Sequence, residues 1–240
     1  MTYIILAAGE GKKMHPLTLK CPKTMFRLDK NFTVIKRLVR QIRTLDDEAE
    51  IVVVVGFMSE TIKRELDMEN VIFINNPFYK TTKSTASLWF AGEYLNRDNV
   101  VLLNSDVVLS DDVMKNIVCK ETEKPFLLMD ESSTAEHNYN VHVEGEKVIV
   151  LGYGISSPVG RYCNVIKFDG ISSRELYEEL NNLMEKGMYN HHYEDIITQM
   201  IFTNVFEMYY ENIEQTEWVE IDSIDDLIKA RNIKFLYHSA

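Results

Sequence analysis

Residues 6–23 read L-A-A-G-E-G-K-K-M-H-P-L-T-L-K-C-P-K, with small residues and lysines spaced as phosphate chemistry wants them. Ala7, Ala8, Gly9 and Gly11 carry little or no side chain, so backbone N–H groups can approach phosphate oxygens, and glycine can take positive φ where the turn needs it. Lys12, Lys13 and Lys23 supply charge suited to a triphosphate. Neither common phosphate loop is present: G-x-x-x-x-G-K-[ST] is missing, and Pro16 and Pro22 forbid the immediate helix that G-x-G-x-x-G requires. Two carboxylates stand at strand ends farther on. Asn104-Ser105-Asp106 closes an apolar run, where ligands gather in open α/β sheets. Asp222 closes the alternating run Trp218-Val219-Glu220-Ile221, just before Ser223. Each aspartate could equally serve a turn or a helix cap.

The elements that must position these groups follow from hydrophobic periodicity. Apolar residues 3–6 deliver a strand into the small-residue loop. Residues 51–55, apolar, β-branched and ended by Gly56, read as a strand buried on both faces. Ile35, Leu38, Val39 and Ile42 lie at helical spacing within 34–45, Ser59 is placed to cap a helix to about 66, and 71–74 is a further strand. Strands alternating with helices imply β-α-β crossovers. The alternation continues with a helix at about 85–94, a strand at 100–104 and a helix opened by Ser110-Asp111-Asp112. From about residue 125 the rhythm changes. Strands are expected at 126–129, 140–144, 147–155 and 163–168, with a hairpin turn at Glu144-Gly145-Glu146-Lys147. Ser172-Ser173-Arg174-Glu175 has capping-box spacing for a helix to about 186. A helix at 194–201, strands at 205–209 and 218–221, and a last helix capped by Ser223 complete the chain.

The 240 residues suit one domain spanning 1–240, with a nucleotide-binding half to about 125 and an acceptor-binding half from about 126. No Pro/Gly/Ser-rich linker, internal repeat or hexapeptide array interrupts it. A formal net charge of −11 argues against a nucleic-acid or anionic-membrane surface, so positive charge must be concentrated locally. The apolar runs are too short to span a bilayer, and the first strand starts without a basic leader. Cys21, Cys119 and Cys163 are scattered, without metal-ligand spacing. A reduced cytoplasmic enzyme is the economical expectation, and a homodimer is an assembly such a chain allows.

The opening segment resembles the L-A-[AG]-G-x-G-x-R-[ML]-x-P-L-T-x-x-x-P-K signature of the nucleotidyltransferases that join a nucleoside triphosphate to a phosphorylated small molecule. Lys13 stands where that pattern has Arg, keeping the charge but losing the planar fork. The resemblance implies the nucleotide-diphospho-sugar transferase fold: α/β, Rossmann-like, three-layer α/β/α, with a central mixed, mostly parallel sheet. It implies nucleotide contacts at Leu6, Ala7, Ala8, Gly9, Glu10, Gly11, Gly56, Ser84, Thr85, Ser87 and Ser105, although the polar run around Ser84 could equally be plain helix capping. Asp106 and Asp222 match the pair that holds Mg²⁺. The chemistry is attack of an acceptor phosphate or phosphonate oxygen on the α-phosphorus, with pyrophosphate leaving. Both reactants are anions, so the metal and the lysines lower an electrostatic barrier. Lys13 is assigned to the β- and γ-phosphates and Lys23 to the α-phosphate and acceptor. The attacking oxygen is already ionised, so no general base is needed, and His15, His191 and His192 are contacts or ordinary surface residues.

Asn75-Asn76-Pro77-Phe78-Tyr79 and the run from Ser84 to Ala91 resemble bacterial phosphocholine cytidylyltransferases and relatives acting on aminoalkyl phosphonates or other phosphorylated amines, which makes CTP the favoured nucleotide. An ammonium headgroup wants aromatic faces and a carboxylate. Tyr153, Tyr162, Tyr189, Tyr193, Glu194, Asp195 and Trp218 are available, with Tyr153, Tyr193 and Glu194 the chosen contacts, although buried tyrosines mostly carry packing. Lys167 could hold the acceptor phosphate or be a solvated strand lysine. Three other readings stay open. A sugar-1-phosphate nucleotidyltransferase using UTP, dTTP or CTP would want its Glu-Lys-Pro motif later than Glu123-Lys124-Pro125. A non-catalytic nucleotide-binding module is favoured by Lys13 and opposed by Lys23, Asp106 and Asp222. A glycosyltransferase would show D-x-D, which Asp106-Val107-Val108 does not.

Overall fold

Tyr3, Ile4 and Ile5 are all fully buried although they point alternately to opposite faces, because β1 (Thr2–Ala7) is covered by helices on both sides. This is a computed structural model, and it describes residues 1–134, 136–233 and 235. After β1 come α1 (Val34–Leu45), β2 (Glu50–Val55), α2 (Ser59–Glu65), β3 (Ile72–Asn75), α3 (Ser84–Phe90), β4 (Val100–Asn104), β5 (Val107–Leu109) and the short α4 (Asp111–Val113), which runs on as a π-turn over Met114–Val118. Then follow β6 (Phe126–Asp130), β7 (Asn140–Glu144), β8 (Lys147–Gly152), β9 (Gly160–Phe168), α5 (Gly170–Glu185), α6 (Tyr193–Phe202), β10 (Met208–Asn212), β11 (Trp218–Glu220) and α7 (Ile224–Ala230).

One nine-stranded sheet has the order β3-β2-β1-β4-β9-β6-β10-β8-β7. Odd-numbered side chains of β1 and β2 pack against α1 and α2 on one face, while Ile4, Val52 and Val54 meet α3, α5 and α6 on the other. The β3-β2-β1-β4 block is parallel, as crossover helices require. The expectation of a mostly parallel sheet holds for that block alone. β9 runs antiparallel to both β4 and β6, and β7 and β8 form an antiparallel hairpin. β10 beside β6 is the other parallel pair.

Several boundaries differ from the sequence reading. Met58, at φ +49, occupies the N-cap of α2 in place of Ser59. Asp169 caps α5, accepting from the Ile171 and Ser172 N–H groups, so the helix starts ahead of the expected Ser172 box. β8 ends at Gly152 and β10 begins at Met208, both shifted from expectation. The sequence reading assigns no element to residues 107–109, where β5 pairs antiparallel with β11 in a separate ribbon, Glu220 opposite Val107. Among the described residues no helix is long and apolar enough to cross a membrane.

Candidate active site

The ribbon of β5 and β11 explains how residues far apart in the chain meet. Its register places Asp106 and Asp222 just beyond the paired ends, where the Ile221 N–H donates to the Asp106 carbonyl at 3.0 Å. Lys23 Nζ then lies 2.6 Å from Asp106 Oδ2 and 2.7 Å from Asp222 Oδ1, and Lys13 Nζ lies 2.8 Å from Asp222 Oδ2. All four residues expected to carry chemistry are therefore in one cluster. Burial works against the Lys23 ammonium, but Asp106 and Asp222 outweigh it and hold its pKa well above the ordinary lysine value. Burial likewise pushes Asp222 up, and the two lysines more than offset that, leaving its carboxyl below the usual range.

Glu220 joins them, a member that sequence reading passed over. Oxygens of Asp106, Glu220 and Asp222 all lie within 4.8 Å of one another. The signal was the alternation of the run 218–222, in which Glu220 stands two residues before Asp222 and so on the same side of an extended chain. Burial and its two acidic neighbours raise the Glu220 pKa. Arg161 Nη2 at 2.7 Å and Asn138 Nδ2 at 2.8 Å both donate to Glu220 Oε2. These three carboxylates are hard oxygen donors that could hold a cation such as Mg²⁺, with Lys13 and Lys23 as the ion-pair partners of Asp106 and Asp222 in this structure.

The phosphate loop forms one wall of an adjoining cavity of about 150 Å³, lined by Leu6, Ala7, Gly9, Gly11, Pro22, Lys23, Thr24, Asn104, Ser105 and Asp106. Gly11 sits at φ +63, and a side chain on Gly9 would meet nothing within 4 Å, so the loop backbone is open at that point. Thr18 Oγ1 donates to the Gly11 carbonyl, Thr24 Oγ1 to the Ser105 carbonyl, and the Ser105 N–H to the Leu6 carbonyl, which knit loop and strand ends together. Glu10 pairs with Lys12 at 2.9 Å. Gly56 is required by contact: an added Cβ would lie 2.8 Å from Tyr79 Cβ and 2.9 Å from the carbonyl oxygen of Ala8.

The polar run is used differently from expectation. Ser84 Oγ accepts from the Tyr193 N–H and Ser87 Oγ from Asn76 Nδ2, so both are internal anchors that tie α3 to α6 and to the 76–82 loop. Thr85 is buried and its hydroxyl has no partner.

Among the residues expected to meet an acceptor, Glu194 is 3 % exposed, and its Oε2 has no hydrogen-bond partner among the described residues. Burial pushes its pKa up to about 8. Burial and the Glu194 charge both raise the phenols of Tyr139, Tyr153, Tyr162 and Tyr193, which surround it. Tyr153 is half-exposed and packs 4.1 Å, ring centre to ring centre, from Tyr139, whose hydroxyl donates to Asp195. Tyr139 was missed because it precedes its strand and belongs to no periodic run. Tyr193 is a correction: it is fully buried, bonded to the Tyr162 hydroxyl and to Asn104 Oδ1, so its ring is not presented to a ligand. Tyr189 lies elsewhere, in an apolar groove with Phe78, Trp89 and Met184, and Trp218 stacks under Arg161 while donating to Asp130.

Lys167 is the second correction. It is 0 % exposed and donates to the Val118 carbonyl at 2.9 Å, next to Met1 at the opposite end of β1 from the phosphate loop. β9 is antiparallel to β4, which carries Lys167 away from the strand ends that bear Asp106.

A small-residue loop on the first strand of a parallel block, facing lysines and a carboxylate trio at the strand ends, defines a nucleotide-handling α/β transferase. The sequence model of the family described as nucleotidyl transferase matches residues 2–138, and the chain belongs to that family. It is 26 % identical over 239 residues to choline-phosphate cytidylyltransferase of Streptococcus pneumoniae, covering 97 % of this chain and 98 % of that one. It is 29 % identical over 110 residues to 2-aminoethylphosphonate cytidylyltransferase of Lancefieldella rimae, covering 45 % and 44 % of the two chains. Among solved structures, CTP:phosphocholine cytidylyltransferase from Streptococcus pneumoniae superposes with a TM-score of 0.80 at 21 % identity, covering 97 % of this chain and 98 % of that one.

Proposed function

We infer that the protein transfers the cytidylyl group of CTP to a small phosphorylated or phosphonate acceptor bearing an ammonium group. The observation that carries this reading is Glu194: a buried carboxylate with an unpartnered oxygen, ringed by tyrosines. Such a group is costly in an empty protein and becomes favourable when a cation enters beside it. The half-exposed face of Tyr153 against Tyr139 adds cation–π attraction. A sugar acceptor, rich in hydroxyls, would bring no cation to draw the proton off this buried carboxyl. The cytidylyl group is favoured by the relatives, whose names specify CTP or cytidylyl transfer to phosphorylated amines.

In the reaction an acceptor oxygen forms a bond to the α-phosphorus, and the bond from that phosphorus to the bridging oxygen breaks with the electron pair leaving on pyrophosphate. Lys23, at the junction of cavity and carboxylates, is placed to neutralise charge at the α-phosphate, and the more exposed Lys13 to reach the outer phosphates. Asp106, Glu220 and Asp222 would hold Mg²⁺, which supplies further charge neutralisation on phosphate oxygens. The loop backbone would orient the triphosphate and Glu194 with Tyr153 the acceptor, bringing two anions together in one geometry.

The test is pyrophosphate release with CTP, UTP, dTTP, ATP or GTP against phosphocholine, phosphoethanolamine, 2-aminoethylphosphonate and several sugar 1-phosphates. Turnover with CTP and an amine-bearing acceptor is expected. Turnover confined to sugar phosphates would overturn the reading of Glu194.

A further inference from the structure

With Lys167 at the far end of the sheet, the acceptor's phosphoryl group needs another holder. The antiparallel course that removes Lys167 brings Asn164 to the near end, because Val165 pairs with Leu103, one residue before Asn104. Asn164 is 5 % exposed and adopts φ +61 inside β9, where the pairing with β6 slips between Leu127 and Met129. A left-handed residue in the middle of a buried strand is uncommon, and asparagine is among the few side chains other than glycine that adopt it readily. Asn104 Nδ2 donates to Asn164 Oδ1 at 2.7 Å, and the Tyr193 hydroxyl donates to Asn104 Oδ1 at 3.3 Å. Both amide oxygens are thus occupied. One N–H of Asn104 and both N–H groups of Asn164 remain without an acceptor among the described residues.

The location matches what those donors could serve. Asn104 lines the cavity with Lys23, Ser105 and Asp106, and through Tyr193 it touches the helix turn that carries Glu194. We propose that Asn104 and Asn164 form a neutral amide platform that takes the phosphoryl or phosphonyl oxygens of the acceptor, next to Asp106 in the cavity and linked through Tyr193 to the helix that carries Glu194. Neutral donors orient the attacking group without withdrawing charge from its nucleophilic oxygen as a lysine would. The proposal relies on the preceding functional reading for nucleotidyl transfer itself but not for the ammonium, since any acceptor in this reaction presents such oxygens.

Two variants separate this role from a structural one. Asn164→Gly keeps the positive φ without strain and deletes the amide; Asn164→Asp keeps an oxygen for Asn104 Nδ2 and sets a negative charge against the acceptor. Asn164→Gly should stay folded, with at most a modest drop in unfolding temperature from the lost Asn104 hydrogen bond, and bind CTP in calorimetry as the wild type does. Its KM for the acceptor should rise about tenfold to a hundredfold, the value of one hydrogen bond to a charged group. Asn164→Asp should lose more, and it carries the same comparison if the glycine variant fails to fold. A wild-type acceptor KM in either folded variant overturns the proposal. So does an equal loss of CTP affinity, which would assign the amides to the nucleotide. Glu194→Gln is the companion arm. It should raise KM for an ammonium acceptor alone, whereas Asn164→Gly raises KM for whichever acceptor the wild type uses, so either idea can fail without the other.

Discussion

Replacing Glu194 by Gln tests the proposed cation-binding role of this carboxyl without any substrate. In an unfolded chain the glutamate ionises near pH 4.5, whereas burial in the folded protein holds its proton to about pH 8. Between those values the folded state binds a proton that the unfolded state has released, so the wild type loses stability as pH rises from about 4.5 to about 8 and levels off above. At roughly 1.4 kcal/mol per pH unit the whole span sets a ceiling on the order of 5 kcal/mol. That is a large part of the roughly 5–15 kcal/mol that stabilises a domain. Glutamine keeps the shape and removes the charge. Urea unfolding of both proteins at intervals from pH 5 to pH 9 should show similar stabilities at pH 5 and a growing advantage for Glu194→Gln, reaching a few kcal/mol by pH 8.5. Parallel curves would mean that Glu194 ionises normally in the fold, which would refute the account of a carboxylate waiting for a cation. Binding supplies the complement: an ammonium acceptor stabilises the carboxylate, so its affinity for the wild type should rise with pH up to about 8 and stay weak and flat in the variant.

Further consequences concern other parts of the molecule. Asp106→Asn and Asp222→Asn should each lower turnover by about a hundredfold or more with folding retained, since each removes a carboxylate from the trio. Weakened Mn²⁺ binding in paramagnetic titrations should accompany the loss, and near-wild-type rates would remove that residue from the site. Gly56→Ala forces a Cβ against the Ala8 carbonyl and Tyr79; it should cost about 1–3 kcal/mol in thermal unfolding, and an unchanged melting temperature would contradict the close approach. Lys167→Met should leave the acceptor KM untouched, and a large rise would restore that lysine to the site. Burial lowers the Lys167 pKa to about 8 from 10.5, so the wild type should gain stability relative to this variant as pH rises across that interval.

Local patterns settled the first half of the fold. The helical spacing of Ile35, Leu38, Val39 and Ile42 gave α1 its observed limits, and the apolar β-branched run of β2 announced a strand buried on both faces. What escaped was long-range. The strand β5 is three residues long, and its identity depends on a partner more than a hundred residues later, β11. Caps were misplaced where two candidates compete within a few residues: Asp169 prevails over Ser172 because a carboxylate can accept two backbone N–H groups at once.

The site divides along the same line. Lys13, Lys23, Asp106 and Asp222 were legible because each sits in a fixed spacing beside a strand end, and the fold joins those ends. Residues contributed by β9 were not, because their meaning depends on strand direction. Read as parallel to β4, the strand would carry Lys167 toward the phosphate loop; running antiparallel, it buries Lys167 beneath Val118 and turns Asn164 toward Asn104. Hydrophobic alternation is the same in both directions, so periodicity cannot choose between them. The choice is made by the connection. The turn at Gly145 closes β7 onto β8, β7 also pairs antiparallel with β9, and this second half enters the sheet through hairpin-like pairing instead of a helical crossover. Strand direction therefore decides which side chain of β9, the lysine or the asparagine, stands beside Asn104 at the end of β4.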